Sequence, residues 1–144
     1  MTLHALESRA ILVVENYAEV RRFYETLLRL PVALEWGNGE GPGCIISLGP
    51  GRSVEIIGPP PGGFPEDWKG FDRRAVMLGV GVADAAAALA RLAALGVPVA
   101  RELRDNPWGD RSFGIDDPAG VRVWVYEITD SNYAARLGIG PAGP

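Results

Sequence analysis

Apolar residues recur along this chain in two rhythms, one of period two and one close to 3.6. Between residues 121 and 126, Val121, Val123 and Val125 fall on one side of an extended chain and Arg122, Trp124 and Tyr126 on the other, because successive strand side chains point to opposite faces. Residues 110–115 alternate in the same way, and Asp117-Pro118-Ala119-Gly120 supplies the turn between the two runs. The pattern predicts a hairpin with a buried valine face. Its other face, aromatic with an arginine, suits either a binding surface or packing beneath a neighbouring element.

Residues 9–14 predict a first strand, and Asn16 then stands as a helix N-cap with Glu19 at the third helical position, a capping-box arrangement. The helix is expected to run to about residue 29, since Val20, Phe23, Tyr24, Leu27 and Leu28 make a single apolar stripe, and Pro31 stops it. Strands are predicted over 32–36, 44–48 and 53–57, parted by glycine-rich turns. Residues 58–70 are rich in proline and glycine and carry Phe64 and Trp68, which either cap a pocket or dock the loop on the surface.

The pattern then repeats. A strand over 75–82, Asp84 as N-cap, an alanine-rich helix over 85–95, Gly96 as its stop and strands over 98–102, 111–115 and 121–126 complete a second set. Val14-Glu15-Asn16 matches Val82-Ala83-Asp84 at a spacing of 68 residues, and Val54-Glu55-Ile56 matches Val123-Trp124-Val125 at 69. This is an internal duplication of a β-α-β-β-β unit. The expected layout is one α+β domain over 1–144: module 1 at about 8–58, a linker at 59–72, module 2 at about 73–128 and a tail at 129–144.

Composition narrows the function classes. With 144 residues, 47% hydrophobic and 22% charged, the chain can bury a core and is neither disordered nor fibrous. Scattered arginines and a net charge of -4 argue against a nucleic-acid partner. Cys44, the lone cysteine, can form no internal disulfide and no zinc knuckle. The N-terminal residues lack a basic stretch followed by an apolar run, and the apolar stretch 85–100 is broken by Arg91 and Pro98, so a cytoplasmic protein without a membrane partner is expected.

The duplicated unit, with FYETLL closing the first helix and PWGDRSFGIDDPAG leading into the last strand, resembles the vicinal oxygen chelate superfamily of glyoxalases, extradiol dioxygenases and bleomycin-resistance proteins. The resemblance spans about residues 9–127. It implies two modules whose sheets curl around a cleft with helices outside, in a homodimer. In catalytic members it also implies a divalent metal held by the first and fourth strands of each module, and those four positions fall here on Arg9, Glu55, Met77 and Trp124. Only Glu55 carries a metal donor. His4, the single histidine, lies an odd five residues before Arg9 and so faces the other way along a continuous strand; Glu127, three past Trp124, does the same.

The expectation is therefore a metal-independent, cofactor-free protein that binds a flat aromatic or amphipathic small molecule such as an antibiotic. Its lining is read as Arg9, Ile11 and Val13, Ser53, Glu55 and Ile57, Met77, Gly79 and Gly81, and Arg122, Trp124 and Tyr126. Trp124, Tyr126, Trp108, Trp68 and Phe113 are the candidate stacking groups, with Arg122, Arg9 and Glu55 orienting polar ends. Gly79 and Gly81 mark either a place where another backbone or a ligand comes close or a bend in the sheet. Glu55 reads as an ion-pair partner of Arg9 or Arg122, since a buried unpaired carboxylate is costly. The alternative is a metal-dependent lyase, isomerase or dioxygenase of the same superfamily, or a metal-free enzyme with Glu55 as general base.

Overall fold

In the computed structural model, which describes residues 6–66 and 76–137, each β-α-β-β-β repeat is a four-stranded mixed sheet with its helix on one face. The chain divides into two compact units, one built on its first half together with the turn Asp117–Ala119, the other on the remainder of its second half.

The first unit contains β1 (Ser8–Val13), α1 (Tyr17–Arg22), β2 (Val32–Asn38), β3 (Gly41–Gly49) and β4 (Arg52–Ile57), with strand order β1-β4-β3-β2. β1 runs parallel to β4 and the other pairs are antiparallel. Period-two alternation sends Leu12, Cys44, Ile46, Val54 and Ile56 to the helix side, where they bury Val20, Phe23 and Tyr24. The Phe23 and Tyr24 rings meet edge to face, 5.1 Å between centroids.

The first helix departs from expectation at both ends. Its α-helical part stops at Arg22 and continues as a π-helical turn, Phe23–Leu27, in which Leu28 N donates to Phe23 O at 3.0 Å. This wider turn accommodates two adjacent aromatic rings that are both buried, a tertiary demand that apolar spacing does not reveal. At the other end the capping box does not form. Asn16 makes no side-chain cap; its Nδ2 donates instead to Pro118 O at 3.0 Å and to Glu19 Oε2 at 3.3 Å.

The second unit contains β5 (Met77–Gly81), α2 (Ala85–Ala94), β6 (Arg101–Asn106), β7 (Asp110–Asp116), β8 (Arg122–Ile128) and α3 (Ser131–Arg136), with order β5-β8-β7-β6. Asp84 caps α2 as read, accepting from Ala87 N at 2.9 Å. Glu127, turned away from the open face, accepts from Ala85 N at 2.9 Å and fixes the same helix end. Ala85 and Leu92 of the helix are buried, as are Phe113, Ile115, Val123 and Val125 of the sheet. β6 begins at Arg101, later than expected, with a register shift before Arg104. α3 lies in the segment read as a tail and is capped by Asp130, which accepts from Tyr133 N at 2.9 Å.

Candidate functional site

Alternation leaves each sheet a second face, turned away from its helix. In the first unit, strand register lines up Ile11, Glu55, Ile45 and Leu34 across that open face. Ile11 and Leu34 are 55% and 57% exposed. Trp36 lies over Gly43, where no side chain larger than hydrogen fits beneath the indole. Glu55 is paired with Arg9, Nη1 to Oε2 at 3.5 Å, and Arg9 also donates to Glu7 at 2.9 Å. The hydrogen bond to Glu7, with a smaller contribution from Glu55, raises the guanidinium pKa further. A groove of about 540 Å³ is lined by Glu55, Ile57, Trp36, Phe64, Pro60 and Glu40. In the sequence pattern Trp36 is only the end of a strand; its glycine partner becomes visible once the register of β2 and β3 is known.

In the second unit, parallel pairing sets Met77 beside Arg122, Gly79 beside Trp124 and Gly81 beside Tyr126. The two glycines now have a reason: a Cβ on either would lie 3.3 Å from the Tyr126 ring, which rests across them. The close approach is made by a side chain of the adjacent strand. Trp124 Nε1 donates to Met77 Sδ at 3.0 Å, and the Arg122 guanidinium lies 5.8 Å from the Trp124 ring centroid. Arg122 is held by Asp116 through Nε, and that hydrogen bond raises its pKa.

At one end of this face, Trp108 is 55% exposed, yet its indole N–H is fixed on Asp110 Oδ2 at 2.8 Å. Asn106 Nδ2 donates to Asp110 Oδ1 at 2.7 Å and to Ser112 Oγ at 2.8 Å, so the turn carrying Trp108 is internally braced. Asn106, Asp110 and Ser112 were not singled out from the sequence; the short polar residues of 110–114 read simply as the polar half of an alternation. Phe113 requires a correction. It pairs with Val125 on the helix side of the sheet and is fully buried, so it packs the core and offers no stacking surface. Trp68 and His4 lie outside the described residues.

Within each unit, the two positions that the resemblance assigned to metal ligands bond one another: Arg9 with Glu55, and Trp124 with Met77. A guanidinium and an indole have no lone pair to offer a metal, so this donor set does not fit a divalent ion. No group of three or more His, Cys, Asp or Glu able to hold a metal occurs among the described residues.

The sequence profile described as the glyoxalase/bleomycin resistance protein/dioxygenase superfamily matches residues 3–125. No curated protein sequence matches the chain significantly. Among solved structures, the chain is similar to TnmS3, an antibiotic-binding protein from Streptomyces sp. CB03234, at 20% identity and a TM-score of 0.65 over 88% of this chain and 97% of that one. A superfamily member from Sphaerobacter thermophilus DSM 20745 aligns at 20% identity and a TM-score of 0.66, over 86% and 98% of the two chains. A lactoylglutathione lyase from Agrobacterium tumefaciens aligns at 18% and 0.62, over 88% and 96%. At these identities the likeness is one of fold. No helix among the described residues is long and apolar enough to cross a membrane.

Proposed function

The chain belongs to the glyoxalase/bleomycin resistance protein/dioxygenase superfamily, and from that premise we propose that it is a metal-independent protein that sequesters a flat aromatic or amphipathic small molecule such as an antibiotic. One observation carries this reading: at the metal-ligand positions of each unit, side chains without suitable donors are bonded to their would-be partner ligands. Catalysis in such a site has no ion to polarise a substrate. Glu55 is poorly placed for the role of general base, because its carboxylate is already engaged by the Arg9 guanidinium. The open faces offer aromatic surface in its place, from Trp36 in the first unit and Trp124 and Tyr126 in the second. Similarity to an antibiotic-binding protein supports an antibiotic as the ligand, as a proposal at 20% identity.

The same reading takes the two units as halves of one cytoplasmic domain that pairs as a homodimer and has no nucleic-acid or membrane partner. Its test is calorimetric titration of chelator-treated protein with a panel of polycyclic and glycopeptide antibiotics. Saturable micromolar binding that zinc, nickel or manganese leaves unchanged is the expected result. Binding or turnover that appears only when one of these metals is added would overturn it.

A further inference from the structure

Arg101 opens the edge strand β6 and is exposed, and its guanidinium takes no part in an ion pair or hydrogen bond among the described residues. Strand register places it directly across from Gly114, which in turn lies across from Trp124. The open face of the second unit thus reads, in one row, Gly79, Trp124, Gly114, Arg101.

Gly114 brings a second cation into that row. A Cβ on it would lie 3.1 Å from Arg101 Cβ and 3.2 Å from Arg122 Cδ, so both arginine stems run over the same glycine. Gly114 carries no left-handed backbone requirement; what its missing side chain provides is room for the two stems to converge. Of the two guanidinium groups, that of Arg122 is engaged by the Asp116 carboxylate, whereas that of Arg101 has no carboxylate partner among the described residues. The other carboxylate of this face, Asp110, is engaged by Asn106 and Trp108. Arg104, on the same face, is engaged by Asn106 through Nε. Arg101 keeps no partner there and stands two strands from an indole.

We infer that Gly114 floors an anion subsite in which Arg101, with Arg122 beside it, receives the carboxylate or sulfonate of a ligand whose ring packs against Trp124. This rests on the small-molecule reading above and narrows it: the ligand is a flat aromatic anion. A planar guanidinium suits a carboxylate, which it can bind with two parallel N–H donors, and a charge-assisted bond of this kind is roughly twice as strong as a neutral one. A ring stacked on the indole puts an attached acid group on the same side of the sheet as Arg101, because Trp124, Gly114 and Arg101 share one face.

The test compares 2-naphthoate with its neutral isostere 2-naphthamide by tryptophan fluorescence titration in wild-type protein, Arg101→Gln and Arg101→Lys. Wild-type protein is expected to prefer the acid by roughly tenfold, the preference shrinking as salt is raised. Arg101→Gln should abolish the preference, Arg101→Lys should retain part of it, and both should melt with the wild type, since Arg101 is exposed on an edge strand. Equal binding of acid and amide, or a preference that survives in Arg101→Gln, would overturn the anion subsite while leaving the wider small-molecule reading supported. Failure of both naphthyl probes to bind at millimolar concentration would overturn the subsite as well, and the wider reading then rests on the antibiotic panel alone.

Discussion

Arg9 and Glu55 meet across the parallel strands β1 and β4, Nη1 3.5 Å from Oε2, with the carboxylate side chain 17% exposed. The cation that the carboxylate needs is thus supplied by the chain itself. Protein purified from rich medium should accordingly carry well under one equivalent of zinc, iron, nickel, cobalt or manganese by elemental analysis. A full equivalent, removable by chelator, would contradict the pairing as the resting state. Because both groups are partly solvated, Glu55→Gln should change stability by no more than about 1 kcal/mol, read from denaturant midpoints.

Tyr24 donates its hydroxyl to Asp117 Oδ2 at 2.8 Å, and both residues are buried. Burial first, and then the Asp117 charge and hydrogen bond, hold the Tyr24 pKa far above its usual value. Tyr17 is pushed up to about 12, again mainly by burial. Folded-state values raised above the unfolded value of about 10 mean that the stabilisation is complete below pH 10 and is lost as pH rises further. Each such tyrosine should steepen the alkaline fall by about 1.4 kcal/mol per pH unit, until its own folded-state pKa is reached. Tyr24→Phe should cost about 1–3 kcal/mol at neutral pH and remove one proton's worth of that slope, measured by urea titrations between pH 9 and about 12.

Both sheets were legible in the sequence, because period-two alternation assigns Val121, Val123 and Val125 to one face without any knowledge of their partners. Asp84 was legible for a similar reason: a cap is a local hydrogen bond, and the residues that make it are three apart. What stayed hidden depended on register. Trp36 over Gly43, Tyr126 over Gly79 and Gly81, and Arg101 beside Gly114 each join residues on different strands, and one strand's pattern does not say which residue of the next lies opposite. The capping box failed for a related reason, since Asn16 was drawn to Pro118, 102 residues away. Phe113 belongs to the core and not to a stacking surface, because residues 110–115 alternate and its register opposite Val125 turns its half of the alternation to the helix side.

Each sheet ends in two open edge strands, β1 and β2 in the first unit and β5 and β6 in the second. Exposed edges present unpaired backbone donors and acceptors, which proteins tend to cover. Light scattering at micromolar concentration should therefore give twice the chain mass of 15.4 kDa. A single-chain mass under these conditions would refute pairing.

Trp124 provides the sharpest separation of binding from packing. Its neighbours in sequence, Val123 and Val125, are buried on the helix side, while Trp124 itself is only half-buried on the open face, tied to Met77 and flanked by Arg122. A large-to-small change in a core costs about 3 to 5 kcal/mol of stability. On this face Trp124→Ala should cost less than that, because the indole is only partly buried and already meets water in part. If the indole stacks on a ligand, the same substitution should weaken binding by on the order of 2 kcal/mol, or roughly thirtyfold. Met77→Leu serves as the control: it removes the sulfur acceptor while keeping apolar bulk, and should leave affinity within about threefold. Calorimetric titrations with the antibiotic panel, run well below the melting temperature of each variant so that unfolding does not imitate lost affinity, read the two effects apart. Unchanged binding in a Trp124→Ala protein that melts far earlier would assign this side chain to the fold and remove it from the ligand site.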